Sequence, residues 1–365
     1  MIYSLRRLFI TIATGIIVQL SVPLHGSATV ISNINNGSSE IKVVSSTSSG
    51  EMMTLFPVNF PFSETSLDVV FSELDSYNQN SQTEPYQTTD FKVSGTPNIT
   101  VKSINGSIQV HPGDTRTVRV ELYVTRRGLA VLGTDRLGDD YRIVMRQRND
   151  HITAEIISLK GGAFSTNTPS FNFIVYAPVN VNASLSTNNG DISITDIGGN
   201  IDIRSSSGNI QLANTRGTSR LSSTSGNIRV QSHTGTVFTN AIAGDVRYHD
   251  VSGECRIKVV SGNVTLDEIR GSTIVHTTNG NIELNTSLID VLIDLETIVG
   301  NIKTSLPSNV ALNFDVQGQR VNINAVSNFA GDIRRNSING KLNGGGTPVR
   351  IKSAVGSIDI QLSQN

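Results

Sequence analysis

The sequence predicts an all-β fold: a single-stranded β-solenoid (parallel β-helix) with 18-residue coils, preceded by an irregular N-terminal β region. Three observations predict it. Gly, then Asn or Asp, then Ile or Val recurs at Gly190, Gly208, Gly226, Gly244, Gly262, Gly280 and Gly300, the first six 18 residues apart and the last two residues late. A second glycine set, Gly199, Gly217, Gly235, Gly253 and Gly271, halves the period. Composition agrees: 5% aromatic residues, no Trp and abundant Gly, Ser, Thr and Asn suit layers filled by aliphatic side chains with corners turned on Gly and Asn. A fixed period of this length marks one short unit stacked on copies of itself.

From the N-terminus, Arg6 and Arg7 precede an apolar run, Leu8 to Val18, and then Gly26-Ser27-Ala28. This reads as a signal peptide over 1–28, the run being shorter than the ~20 residues that span a bilayer. No second segment is long and apolar enough to cross a membrane once the signal is removed. The expected location is therefore exported, in the periplasm or at the cell surface. Residues 29–90 are rich in Ser, Thr, Asn and Gln without sustained apolar periodicity, and read as a largely disordered low-complexity linker.

Period-2 alternation begins near Phe91, in Ile99/Val101, Ile108/Val110 and Val118/Val120/Leu122, and continues to Phe171–Tyr176. These strands lack the 18-residue register, so residues 91–180 are expected to cap the solenoid. Over 181–305 each half-coil turns at Gly and places apolar residues at the second and often the fourth position after it, as in Ile192/Ile194, Ile201/Ile203 and Ile210/Leu212. Alternation points them to one face, and the coil period stacks them into a spine. Glycine tolerates positive φ and the following Asn or Asp tolerates a tight turn. Asp191, Asn209, Asn227, Asp245, Asn263, Asn281 and Asn301 should then line up as a ladder bonded from coil to coil, as stacked Asn do in cross-β assemblies. Beyond Leu306-Pro307 the pattern degenerates, and 306–365 reads as C-terminal coils and a cap, closed by Val349–Lys352 and Ile358–Leu362 after the flexible corner Gly344-Gly345-Gly346.

Several residues together resemble a family. Phe91-Lys92-Val93 with Ile108-Gln109-Val110, Tyr176-Ala177-Pro178 leading into the Gly-Asp-Ile and Gly-Asn-Ile repeats, and Leu342-Asn343-Gly344-Gly345-Gly346 before Gly356-Ser357-Ile358-Asp359-Ile360 look like the bacterial putative adhesin family. The resemblance spans about residues 90 to 362. It implies a β-solenoid of unknown function in an exported or envelope protein, and it brings no catalytic or binding residues.

Chemistry is sparse. With 29 Lys and Arg against 30 Asp and Glu, the net charge is −1, and no basic run tracks phosphates, so nucleic acid is not an expected partner. Cys255 is the only cysteine; at the position of Ile201 and Val237 in other coils it reads as a small buried apolar residue. His233, His249 and His276 fall at different coil positions and read as surface histidines without a shared metal site. Adjacent His249 and Asp250 should face opposite ways along a strand. The period suits a calcium β-roll, but the paired glycines and recurrent carboxylates of such rolls are missing. Thr187, Ser205 and Ser223 read as an outward hydroxyl column, broken at Ala241 and Val259. Arg204, Arg229 and Arg247 should point outward, and no paired acids recur on neighbouring coils as polysaccharide hydrolysis needs. No cofactor, metal or catalytic residue is expected. The sequence reading is a non-catalytic exported adhesive or structural module of the envelope, meeting an envelope protein or a glycan. A self-assembling scaffold joined end to end is the alternative, and a carbohydrate-active β-helix enzyme a second one.

Overall fold

The computed structural model describes residues 84–363 except 127, 133–136, 138–139, 160–167, 290 and 325–326; of residues 1–83 it describes the backbone of five strands only. The chain divides into two units, Met1–Asn80 and Ser81–Asn365. In the first, Leu5–Thr11 pairs antiparallel with Ile17–Pro23, and Ser27–Asn35, Ser38–Ser46 and Met52–Phe60 form a second antiparallel sheet. Otherwise the signal expected over 1–28 and the linker expected over 29–90 fall, up to residue 83, outside the described residues.

The second unit is a β-solenoid. Each coil pairs in parallel with the next at a spacing of 18, for example Ile192 with Ile210, Ile210 with Ile228 and Ile228 with Val246. Both faces of a coil are bonded to the coils above and below, so the hydrogen-bonded network runs continuously around this unit. Partners 18 residues apart make it a stack of coils and not a barrel of neighbouring strands.

Counting from the glycine that opens each coil, residues 2, 4, 7, 11, 13 and 15 point inward. In the coil opened by Gly190 these are Ile192, Ile194, Ile197, Ile201, Ile203 and Ser205, all buried. Positions 2 to 5 form one face and 10 to 17 the other. The two glycine corners have φ of +140° at Gly190 and +120° at Gly199. Space as well as φ demands glycine: a Cβ on Gly208 would lie 2.2 Å from the Gly190 carbonyl oxygen, and one on Gly217 2.3 Å from that of Gly199. A third corner at position 6 uses no glycine. Asp196, Asn214, Ser232, Asp250 and Glu268 take φ of +51° to +58° there, and Asn214 Nδ2 donates to Asp196 Oδ1 at 3.0 Å.

This third corner corrects the reading of His233. Reversal at Ser232 breaks the outward-inward alternation and turns residue 233 into the spine, where it is 1% exposed with Nδ1 2.8 Å from Thr215 Oγ1. The hydroxyl column is likewise internal: Thr187, Ser205 and Ser223 are 3, 5 and 4% exposed. Alternation simply continues from positions 11 and 13 to 15, where the coil narrows into its corner. Small hydroxylated side chains fit there and reach corner carbonyls, as Thr187 Oγ1 does to Gly106 O, Thr297 Oγ1 to Gly280 O and Ser353 Oγ to Gly300 O. Ser205, Ser223 and Thr277 show no such partner.

At both ends, order in space departs from order in sequence. Asn98–Asn105 and Ile108–Pro112 stack directly under the coil at 182–195, and His151–Ser158 and Ser170–Ala177 stack beyond them. Antiparallel strands Thr117–Arg126, Tyr141–Arg148 and Gln87–Lys92 then close this end. At the other end, Thr347–Val355 and Ser357–Ser363 lie between the coil at 292–307 and the strands Leu312–Gln317 and Arg320–Ile323. The last strands in sequence are thus an internal coil, and the antiparallel strands Ser337–Leu342 and Phe329–Arg334 form the outer edge.

Candidate functional site

A spine of this kind leaves only the outer skin for contact, and the two faces differ. On the first, corner position 1 carries the Asn/Asp ladder. Asn209 N donates to Asp191 Oδ1 at 2.7 Å, Asn227 N to Asn209 Oδ1 at 3.0 Å and Asp245 N to Asn227 Oδ1 at 2.9 Å. Asn263, Asn281 and Asn301 continue it, and Ser357 N closes it on Asn301 Oδ1 at 2.9 Å. The corner glycine turns the following N–H away from the strand ladder, and the side-chain oxygen one coil below accepts it. The side-chain amides add longer bonds, Asn209 Nδ2 to Asp191 Oδ1 at 3.3 Å and Asn281 Nδ2 to Asn263 Oδ1 at 3.3 Å.

Beside the ladder, positions 3 and 5 face solvent with Gln211, Gln231, Arg229, Arg247, His249 and Asn285 among them. With the exposed Asn side chains of the ladder this makes a polar face repeating every ~4.8 Å, in which amides are interspersed with Arg229, Arg247, Asp267, Glu283 and Lys303. His249 Nδ1 meets Asp267 Oδ2 at 2.9 Å, both well exposed. Asp250 lies at the third corner, apart from His249, with Arg270 at 3.7 Å.

On the second face a trough of about 760 Å³ runs along the stack beside the corner. Inward position 15 is its floor. Position 14 forms one wall, including Arg204, Asn240, Lys258, His276 and Glu296, and position 16 the other, including Ile242, Val260 and Ile298. Ile242, Val260, Ile298, Val299 and Val355 are 55, 49, 51, 46 and 49% exposed. Glu296 Oε2 lies 3.0 Å from His276 Nδ1, and the Arg220 guanidinium sits over the Phe238 ring, 5.3 Å from its centre.

The spine also holds titratable groups, Cys255, Tyr248 and His233. Burial pushes the Cys255 thiol up to about 12, with the Glu254 charge adding to it, so the thiol stays protonated and unreactive. Burial likewise raises Tyr248, whose hydroxyl is 2.6 Å from Thr239 Oγ1, and lowers the imidazole of His233. Among the described residues, no three His, Cys, Asp or Glu side chains converge as metal ligands. Among them too, no helix is long and apolar enough to cross a membrane. The trough and the third corner escaped sequence reasoning. Asn and Asp recurring at 196, 214 and 250 were the available signal for the corner.

Residues 217–361 match the model of the Toastrack DUF4097 family. Three crystal structures are similar to the chain. A putative cell adhesion protein from Clostridium sporogenes is 13% identical, with 77% of this chain and 100% of that chain covered and a TM-score of 0.21. A putative adhesin from Bacteroides fragilis is 14% identical, with 75% and 96% covered and a TM-score of 0.36. A putative lipid binding protein from Parabacteroides distasonis is 14% identical, with 76% and 97% covered and a TM-score of 0.29. No curated protein matches.

Proposed function

We propose, for a chain whose residues 217–361 match the model of the Toastrack DUF4097 family, a non-catalytic exported module of the cell envelope that adheres through the face carrying the Asn/Asp ladder to a glycan or an envelope protein. The observation that carries this reading is the polar face made by the Asn/Asp ladder together with Gln211, Gln231 and Asn285 beside it. Amides supply donor and acceptor together, and repetition coil after coil lets a repeating polymer make many weak contacts at once. The two His–carboxylate pairs favour binding over catalysis, since His249–Asp267 lies on open surface and His276–Glu296 on the solvent-exposed wall of the trough, neither shielded from water.

End-to-end assembly has weaker support. The two outer strands on the second face are Tyr141–Arg148, with Arg142, Arg146 and Arg148, and Phe329–Arg334, with Asp332 and Arg334. Meeting edge to edge, three arginines would oppose one arginine and one aspartate, so charge gives the contact no net attraction.

Glycan-array binding and capture from envelope fractions by the full chain test the adhesive reading. Retention should fall at least about tenfold when Gln211 and Gln231 are both changed to Ala, because their amides leave the polar face without disturbing the spine. A chain that retains no glycan and captures no envelope protein is not an adhesive module.

A further inference from the structure

We propose that the second face is the interface of an antiparallel homodimer, two copies packed face to face with a two-fold axis along the strand direction through the coil at 272–285. Five of the twelve large aliphatic side chains exposed in the described residues, Ile242, Val260, Ile298, Val299 and Val355, lie along this one edge. Aliphatic side chains gathered on one exposed edge, interrupted at Thr278, mark a contact site. What covers it is indicated by the charges beside it.

Stacking register fixes their order along the axis. Position 12 reads Arg220, Phe238, Arg256, Ile274, Asp294, Arg350, Asp315. Position 14 reads Ser222, Asn240, Lys258, His276, Glu296, Lys352, Gln317. A two-fold through Ile274 and His276 reverses coil order and keeps position along the strand. Arg256 and Lys258 of one copy then face Asp294 and Glu296 of the other. Arg220, which lies over the Phe238 ring of its own copy, faces Asp315, Arg350 stands opposite the coil of Phe238, and Lys352 faces the Asn240 amide. Residues directly opposed in register carry no like charges in either column. On the aliphatic edge Val260 faces Ile298, with Thr278 at the axis.

The area is sufficient. Seven residues of strand by seven coils is about 23 Å by 34 Å, close to the roughly 800 Å² per partner of a stable interface. Acidic Asp294 and Glu296 in the middle of the strip disfavour an anionic lipid surface. The dimer leaves the ladder face outward on both copies, so it is independent of the adhesive reading.

Sedimentation velocity on the full chain tests the proposal through charge complementation. Wild type should dimerise at micromolar concentration. Arg256→Glu with Lys258→Glu should weaken self-association at least about tenfold, as should Asp294→Lys with Glu296→Lys, each placing like charges opposite one another. Mixed in equal amounts, the two variants should form heterodimers, because both halves of the two-fold are then complementary. All four positions are exposed or half-buried, and unchanged circular dichroism on heating establishes that the variants fold. A monomeric wild type, reversals that leave the dimer intact, or variants that stay monomeric when mixed would each overturn the proposal. So would a monomer that sediments with vesicles containing anionic lipid, which would assign the strip to a membrane surface.

Discussion

His233 shows how one buried side chain writes a pH dependence into a repeat protein. Its imidazole stacks in the column of Ile197, Thr215, Val251 and Ile269, and burial holds its proton affinity below the ordinary histidine value of about 6.5. The folded state therefore refuses a proton that the unfolded chain accepts. Stability is fully present above about pH 6.5 and falls as pH drops from there through the folded-state value. The urea midpoint should decline between pH 7 and pH 5, and His233→Leu should flatten most of that decline. His111, also lowered by burial, accounts for a residual slope. An unchanged slope in the variant would show that the imidazole is not the group responsible. The ladder residues teach a different lesson at this scale. Both Asp and Asn present the Oδ1 that the next corner N–H requires, which is why Asp191 and Asp245 alternate with Asn without breaking the file.

The coil is held by two glycine corners whose demands are steric as much as conformational. Gly226 has φ of +138°, and a Cβ there would sit 2.1 Å from the Gly208 carbonyl oxygen. Gly344 has φ of +84° with nothing within 4 Å. Gly226→Ala should accordingly cost at least about 2 kcal/mol, because the backbone of one coil must move off its neighbour, and Gly344→Ala about 1 kcal/mol from φ alone. Equal shifts in urea denaturation would mean that contact between coils adds nothing. These corners and the aliphatic positions 2, 4, 11 and 13 were legible in the sequence because their chemistry repeats in register. What was not legible followed from geometry without a residue signature. The third corner accepts Asp, Asn, Ser and Glu alike, so its period is blurred, and with it went the inward direction of His233. Thr187, Ser205 and Ser223 looked outward because hydroxyls usually are. Their burial needs the knowledge that the strand runs one step further before the corner. The trough escaped for the same reason: its floor is position 15.

At the scale of the whole second unit, both ends are closed by the same device, a coil contributed out of sequence order and covered by antiparallel strands. Ile302 packs in register with Ile358 and Ile293 with Val349, so the last segment of the chain is the platform on which Leu312–Gln317 and its neighbours rest. The solenoid therefore cannot be completed until its final residues are available, and the segment 308–346 must wait, unsupported, for a partner some 35 residues downstream of Leu312. Such non-local closure is slow compared with adding one coil to the next. A chain ending at Gly346 loses an internal layer and not an end cap. Repeat arrays are stabilised by neighbour contacts, so two interfaces vanish together, 292–307 with 347–363 and 347–363 with 312–323. Limited proteolysis of the truncated chain should cut throughout 308–346 while leaving 181–285 protected, and the intact chain should resist in both regions. If the truncated chain instead keeps 312–342 protected, those strands can rest directly on the coil at 292–307, and the out-of-order layer is dispensable.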